Sequence, residues 1–177
     1  MDAQGFWKLI EDARRRVPDP VDGDAVTAEA ATLLSVQPCG EIIAADHVLR
    51  ELLAQSYRNP LWAAAYLING GCSDDAFDYF RGWLIMQGQG VFERVLTDPD
   101  SLADLPVIRA AAPDGVIDCE AALTISWNAH LRATGEQLPD DAFTTECPDL
   151  DSDWGFDFGD QVEMRRRLPR LAALYLS

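Results

Sequence analysis

The stretch from Leu61 to Asp98 constrains the fold of this chain more than any other part of the sequence. Residues 61–68 are apolar nearly all round, which predicts a helix that is buried on most sides. Residues 69–71, Asn-Gly-Gly, predict a sharp corner, because both residue types tolerate the left-handed conformation that ends many helices. Ser73 is the predicted N-cap of the next helix, and the two aspartates after it favour the helix dipole. We therefore expect the remaining segments to pack around this stretch.

Apolar residues recur at helical spacing on both sides of it. Besides the two helices above, the patterns predict helices at about 1–17, 25–36, 41–57, 91–96, 117–134 and 162–176, and a loop with one short helical turn at 102–115. Asp24 and Asn59 are the predicted N-caps of the second and fourth helices. Alanine is abundant and runs of β-branched residues are scarce, which favours helix over sheet. The predicted fold is all-α, a single compact domain of about seven helices around the buried helix 61–68.

Length and composition predict how the chain is divided. A chain of 177 residues suits one domain with its own hydrophobic core. Residues 1–140 are predicted to form a helical core. Residues 141–177 are predicted to form an acidic, aromatic loop and an amphipathic C-terminal helix, both packing on that core. The arginines of this last helix are expected to face the acidic loop.

The charge balance limits the possible partners. The chain has 14 basic and 30 acidic residues, a formal net charge of −16. Such a field repels nucleic acids and anionic membranes, because phosphate binding requires clustered Lys and Arg. The four cysteines form neither a CxxC pair nor a zinc pattern, and neither a signal peptide nor a membrane span is recognisable. We expect a cytoplasmic protein whose partner is a basic protein or a small polar ligand.

The corner at 69–75 is the best candidate site in the sequence. It combines a thiol, a hydroxyl, two carboxylates and the N–H groups of a helix N-terminus, which can hold an anion or lower the pKa of a thiol. The same residue types also serve an ordinary turn and helix cap. Asp78 and Arg81 are close enough to pair, although Arg81 can instead clamp a carboxylate or phosphate. The candidate ligand-binding residues are Tyr66, Asn69, Cys72, Ser73, Asp74, Asp75, Asp78, Arg81 and Trp83.

No catalytic signature is recognisable, because the chain lacks nucleotide-binding glycine loops and a hydrolase elbow. The aspartates near the corner lack the spacing of a calcium loop, and we predict no metal and no cofactor. Two classes of function stay open. The charge and the missing motifs favour a non-catalytic binding or protein-interaction module. The alternative is a small-molecule enzyme or sensor with a polar pocket at the Cys72–Asp75 corner, next to Arg81.

Four runs of the sequence carry a resemblance to a known family. They are FWKLIEDAR at 6–14, LWAAAYLINGGCSDDAFDYFRGWLIMQG at 61–88, FERVLTDPDSLAD at 92–104, and DCEAAL followed by TGEQLP between 118 and 139. These runs resemble the bacterial domain-of-unknown-function family numbered 4240 over roughly residues 6–139, including the long motif GGCSDDxFxxFRxWLIxxG. The resemblance implies a cytoplasmic, largely helical domain that is common in actinobacteria and has no assigned activity. It implies no role for any motif residue.

Overall fold

The computed structural model of the chain describes residues 1–139 and 149–176. These residues form ten α-helices and no strand, which confirms the predicted all-α fold. The helices are α1 (Ala3–Arg14), α2 (Gly23–Ser35), α3 (Cys39–Ser56), α4 (Asn59–Asn69), α5 (Asp74–Met86), α6 (Gln89–Thr97), α7 (Pro106–Ala111), α8 (Ile125–Thr134), α9 (Gln161–Arg167) and α10 (Pro169–Tyr175). Three short 3-10 helices lie at Pro99–Asp104, Glu120–Thr124 and Ser152–Trp154. No helix in these two ranges is both long and apolar enough to cross a lipid bilayer.

Helix α4 lies in the core, as the sequence predicts. Its three consecutive alanines, 63–65, are fully buried together with Leu61 and Ile68. Their small side chains let α5, α10 and the 3-10 helix Pro99–Asp104 pack against α4. The helix ends at Gly70, which adopts the left-handed conformation with φ 64°. This confirms the predicted corner and turns the chain towards α5.

One of the three predicted helix caps is confirmed. The Ser73 hydroxyl accepts a hydrogen bond from the N–H of Ala76 at 3.3 Å, and so caps α5. For α2 the prediction of Asp24 is wrong by two residues. Asp22 is the N-cap, because its carboxylate accepts a hydrogen bond from the N–H of Ala25 at 3.0 Å.

The prediction that Asn59 caps α4 is also wrong. Arg58 occupies the N-cap position and makes no side-chain cap bond. The Asn59 side-chain amide donates instead to the Asp151 carbonyl at 3.0 Å, which ties the start of α4 to the C-terminal segment. A bond between residues so far apart in the chain leaves no local signal in the sequence.

The helix predicted at 117–134 begins only at Ile125, after the 3-10 helix Glu120–Thr124. The preceding backbone is used for tertiary hydrogen bonds, which replace those of a helix. The N–H of Ile117 donates to the Asn69 carboxamide at 2.9 Å, and the N–H of Cys119 donates to the Tyr79 carbonyl at 3.0 Å. These bonds hold the segment against the corner and against α5.

Two prolines explain the other differences. The predicted loop at 102–115 contains the rest of a 3-10 helix and all of α7, which starts at Pro106. Proline at a helix start costs nothing, because its missing N–H would have no partner there. The single helix predicted at 162–176 is interrupted at Leu168, and Pro169 begins α10.

The described part of the acidic, aromatic segment contacts the core through its rings. Trp154, Phe156 and Phe158 are partly buried against core residues, whereas residues 140–148 of the predicted loop lie outside the described residues. Among the described residues, Arg166 and Arg167 pair with Glu163 of their own helix and Arg170 pairs with Asp98, Asp100 and Asp104, so these three arginines do not pair with the carboxylates of residues 149–160. Arg167 pairs with Glu163 at 2.9 Å, and its guanidinium lies 4.8 Å above the Trp154 ring. The helix therefore contacts the loop through cation–π interactions.

Candidate functional site

Asn69 holds the corner to a distant segment. Its side-chain N–H donates to the Ile117 carbonyl at 3.1 Å, while its carbonyl oxygen accepts from the N–H of the same residue at 2.9 Å. The carboxamide thus pairs with backbone as another peptide group would. Both polar atoms of the side chain are hydrogen-bonded to backbone, so Asn69 holds the segment around Ile117 in place against the corner.

Cys72 is half-buried beside an aromatic stack. The indole N–H of Trp62 donates to the Cys72 carbonyl at 3.0 Å, and the Trp62 ring stacks on Phe77 with centroids 4.8 Å apart. Burial raises the pKa of the Cys72 thiol to about 11, although the nearby Arg81 charge acts in the opposite direction. The sequence suggested that the helix N-terminus lowers this pKa, and the shift has the opposite sign. The thiol is therefore protonated, and a weak nucleophile, at neutral pH.

We predict that alkylation of Cys72 by iodoacetamide rises about tenfold per pH unit between about pH 7 and about pH 10, because only the thiolate reacts. Peptide mapping by mass spectrometry follows this residue separately, with the exposed Cys39 in the same sample as the reference. A rate that levels off below about pH 9 would show a reactive thiol and restore the corner as a nucleophilic site.

Arg81 is a buried cation with structural partners. One terminal nitrogen donates to the Leu53 carbonyl in the last turn of α3, and the other donates to the Asp78 carboxylate. Its guanidinium lies 5.0 Å from the Tyr57 ring centre and 4.9 Å from that of Phe77. A cation at this end of a helix is stabilised by the helix dipole. The predicted Asp78–Arg81 pair is confirmed, and the arginine joins α5 to the end of α3.

The remaining candidate residues lie in different parts of the structure and do not form one site. Tyr66 contacts Phe158 edge to face, with ring centres 6.0 Å apart. Trp83 is buried in the core, and Asp74 and Asp75 are exposed in the first turn of α5. Of the nine candidates, only Asp78 and Arg81 line a cavity described below.

A cavity of about 330 Å³, called here the Arg81 cavity, lies between α3 and α5. Its polar lining combines the Asp78–Arg81 pair with a second pair, in which the Arg50 Nε donates to the buried Asp46 carboxylate at 2.7 Å. Leu49, Leu53, Ala54 and Leu123 complete the wall. Sequence reasoning missed Asp46 and Arg50. Their spacing of four residues, which is typical of a helical ion pair, was the available signal.

A larger cavity of about 550 Å³ lies where α3, α4 and α6 approach the C-terminal segment. We call it the acid-rimmed cavity, because the exposed Asp149 and Asp151 stand on its edge. Leu61, Leu96 and the prolines at 60 and 99 contribute apolar surface. The other lining residues are Ala54, Gln55, Tyr57, Arg58, Thr97 and Trp154. Apolar lining with a few polar groups is the usual composition of a binding cavity.

The other polar chemistry in the described residues is sparse. Within residues 1–139 and 149–176, no three His, Cys, Asp or Glu side chains lie together in an arrangement that could hold a metal ion. Burial also raises the pKa of a second thiol, that of the buried Cys119, to about 11.

Fold and cavities together define an all-α domain with a formal net charge of −16 and cavities that lie along α3. The chain belongs to the family described as proteins of unknown function, DUF4240, whose family model matches residues 1–132. This confirms the resemblance noted from the sequence runs. Comparisons with curated proteins and with solved structures gave no significant match.

Proposed function

We propose that this chain is a non-catalytic protein-interaction module that binds a basic segment of a partner protein at the acid-rimmed cavity. A cytoplasmic location suits this role and remains a prediction. The observation that carries the proposal is the combination, in the lining of one cavity, of apolar surface and two exposed carboxylates, which outnumber the exposed cation Arg58.

This combination matches the chemistry of a lysine or arginine side chain. Such side chains bury their methylene stems along apolar surface and keep the charged end near carboxylates or water. Asp149 and Asp151 are both exposed, so a partner's cation can reach them without a large loss of hydration. The net charge of −16 also speeds the approach of a basic partner.

The aromatic residues beside the cavity already bind cations of this chain. Arg167 lies over the Trp154 ring and Arg81 lies over the Tyr57 ring. These contacts fix the orientation of both rings in the cavity wall. A rigid wall reduces the conformational entropy that is lost when a partner binds.

The alternative, a small-molecule enzyme or sensor at the Cys72–Asp75 corner, has less support. The expected pocket required Tyr66, Asp75 and Arg81 around one ligand. Instead, the Arg81 guanidinium donates hydrogen bonds to the Asp78 carboxylate and to the Leu53 carbonyl. Tyr66 packs on Phe158. The Arg81 cavity, with its two ion pairs, still favours a small polar ligand.

We predict that the double variant Asp149→Asn/Asp151→Asn binds a fluorescein-labelled hexalysine peptide about three- to tenfold more weakly, as measured by fluorescence anisotropy. Exposed ion pairs contribute about 0.2–1 kcal/mol each. Asparagine retains the oxygen by which Asp151 accepts the N–H of Asp153 at 2.9 Å, so the local turn is kept.

The matched control is Asp74→Asn/Asp75→Asn, which removes the same charge from an exposed helix end outside the cavity. We expect this control to bind hexalysine within about twofold of the unchanged protein, because screening limits exposed charges at a distance. Equal weakening by both double variants would mean attraction by net charge alone and would overturn the proposal.

A further inference from the structure

We infer that the acid-rimmed cavity is one end of a longer furrow, and that the partner lies along this furrow as an extended segment. This inference rests on the proposed function and adds the length and the residue spacing of the ligand. The acid-rimmed cavity and the Arg81 cavity share Ala54 as a lining residue. The Arg81 cavity shares Asp46, Arg50 and Leu123 with a third cavity of about 560 Å³, called here the Trp127 cavity.

One face of α3 forms the floor of all three cavities. The lining positions from α3 and its C-cap are 46, 49, 50, 53, 54, 55 and 57, and all of them except 55 are linked by steps of three and four residues. This spacing places the six linked positions on a single stripe of the helix. At about 1.5 Å per residue, the stripe is about 16 Å long. An extended peptide covers this distance with about five residues.

The charges along the furrow differ from one end to the other. In the middle, the Asp46 carboxylate is paired with Arg50 and the Asp78 carboxylate is paired with Arg81. At the end with Asp149 and Asp151, Arg58 also lines the cavity, so the described lining residues there carry two negative charges and one positive charge, a net charge of −1.

The opposite end of the furrow adds an exposed aromatic side chain to a lining of mixed polarity. Trp127 lines it with 39% of its surface exposed, next to Leu123, Leu138 and Pro139. Exposed tryptophans in such places are frequent binding hot spots. The partner that fits is a segment with Lys or Arg at one end, an uncharged middle, and a bulky apolar residue about five positions away.

A selection from random peptides of about twelve residues, displayed on phage, tests this spacing. The probes are the enriched peptides, synthesised with a fluorescent label. We expect sequences that combine Lys or Arg with a bulky apolar residue about four to six positions away, in either chain direction. Trp127→Ala should weaken their binding at least about tenfold.

The matched control is Leu131→Ala, four residues further along α8, which has a similar exposure of 36% and lines none of the three cavities. We expect this variant to bind the selected peptides as the unchanged protein does. Circular dichroism verifies that both variants are folded.

Each outcome bears on one of the two proposals. Peptides that are purely basic, and whose binding depends on Asp149 and Asp151 but not on Trp127, would overturn the furrow and leave the proposed function standing. No enrichment, or binding that is insensitive to both aspartates, would overturn the proposed function as well. A dimer seen by analytical ultracentrifugation and abolished by Trp127→Ala would assign the furrow to a second copy of the chain and overturn the inference.

Discussion

Substituting Asp100 by alanine is expected to lower the free energy of unfolding by about 3–4 kcal/mol. Asp100 is 6% exposed, and its carboxylate caps α10 from a distant part of the chain. It accepts hydrogen bonds from the backbone N–H groups of Arg170 and Leu171, at 3.0 and 2.9 Å, and from the Arg170 guanidinium at 3.2 Å. Urea unfolding followed by circular dichroism measures the change.

The size of this effect follows from what the substitution leaves behind. Pro169 begins α10 and has no N–H, and Leu168 at the N-cap position has no polar side chain. Without Asp100, the buried N–H of Leu171 and the part-buried N–H of Arg170 lose their acceptor among the described residues, and a fully buried loss of this kind costs about 1–3 kcal/mol.

Asp104→Ala is the matched control for this prediction. Asp104 also pairs with Arg170, at 2.9 Å, but its side chain is 49% exposed. Its removal should cost less than about 1 kcal/mol. Equal effects of the two substitutions would show that Asp100 contributes only as one member of a surface charge network.

The capping by Asp100 also connects the family segment to the remainder of the chain. The family model ends at residue 132, whereas α9 and α10 bury Met164, Leu168 and Leu171 against the core. The C-terminal helices therefore complete the hydrophobic core of the described residues. We expect a chain truncated after the family segment to expose this apolar surface.

Much of the fold was predictable because the signals are local. The proline and glycine positions around 59–71, the Ser73 cap and the apolar periodicity of α1 to α6 depend on residues within one or two turns of each other. The missed elements depend on distant partners. Residues 117–119 are extended because Asn69 and Tyr79 take their backbone hydrogen bonds, which no local pattern records.

The candidate site was less predictable for the same reason. Polar residues at 69–75 look like a cluster in the sequence, yet the fold uses Asn69 and Ser73 for its own hydrogen bonds. The furrow depends on a helical stripe of α3 whose mixture of Asp, Leu and Arg resembles an ordinary surface. It becomes a site only when α5, α8 and the C-terminal segment supply its walls.

Gly82→Ala is expected to lower the free energy of unfolding by about 2–3 kcal/mol, although replacing a helical glycine by alanine ordinarily raises it by about 0.5–1 kcal/mol. Gly82 lies where α5 crosses the 3-10 helix Glu120–Thr124. A Cβ at this position would lie 2.8 Å from the carbonyl oxygen of Cys119 and 3.1 Å from the Cβ of Ala122. The oxygen belongs to the backbone, so the two helices must separate to relieve the clash.

Gly90→Ala provides the comparison, because a Cβ at position 90 in α6 meets no atom within 4 Å. This variant should equal or exceed the stability of the unchanged protein, by up to about 1 kcal/mol. Opposite signs for the two glycines, measured by urea unfolding, would establish that close approach at Gly82, and not helix propensity, determines its residue type. If Gly82→Ala proves as stable as Gly90→Ala, the crossing can widen without cost. Leu123, which belongs to the same 3-10 helix and lines the furrow, could then also shift its position.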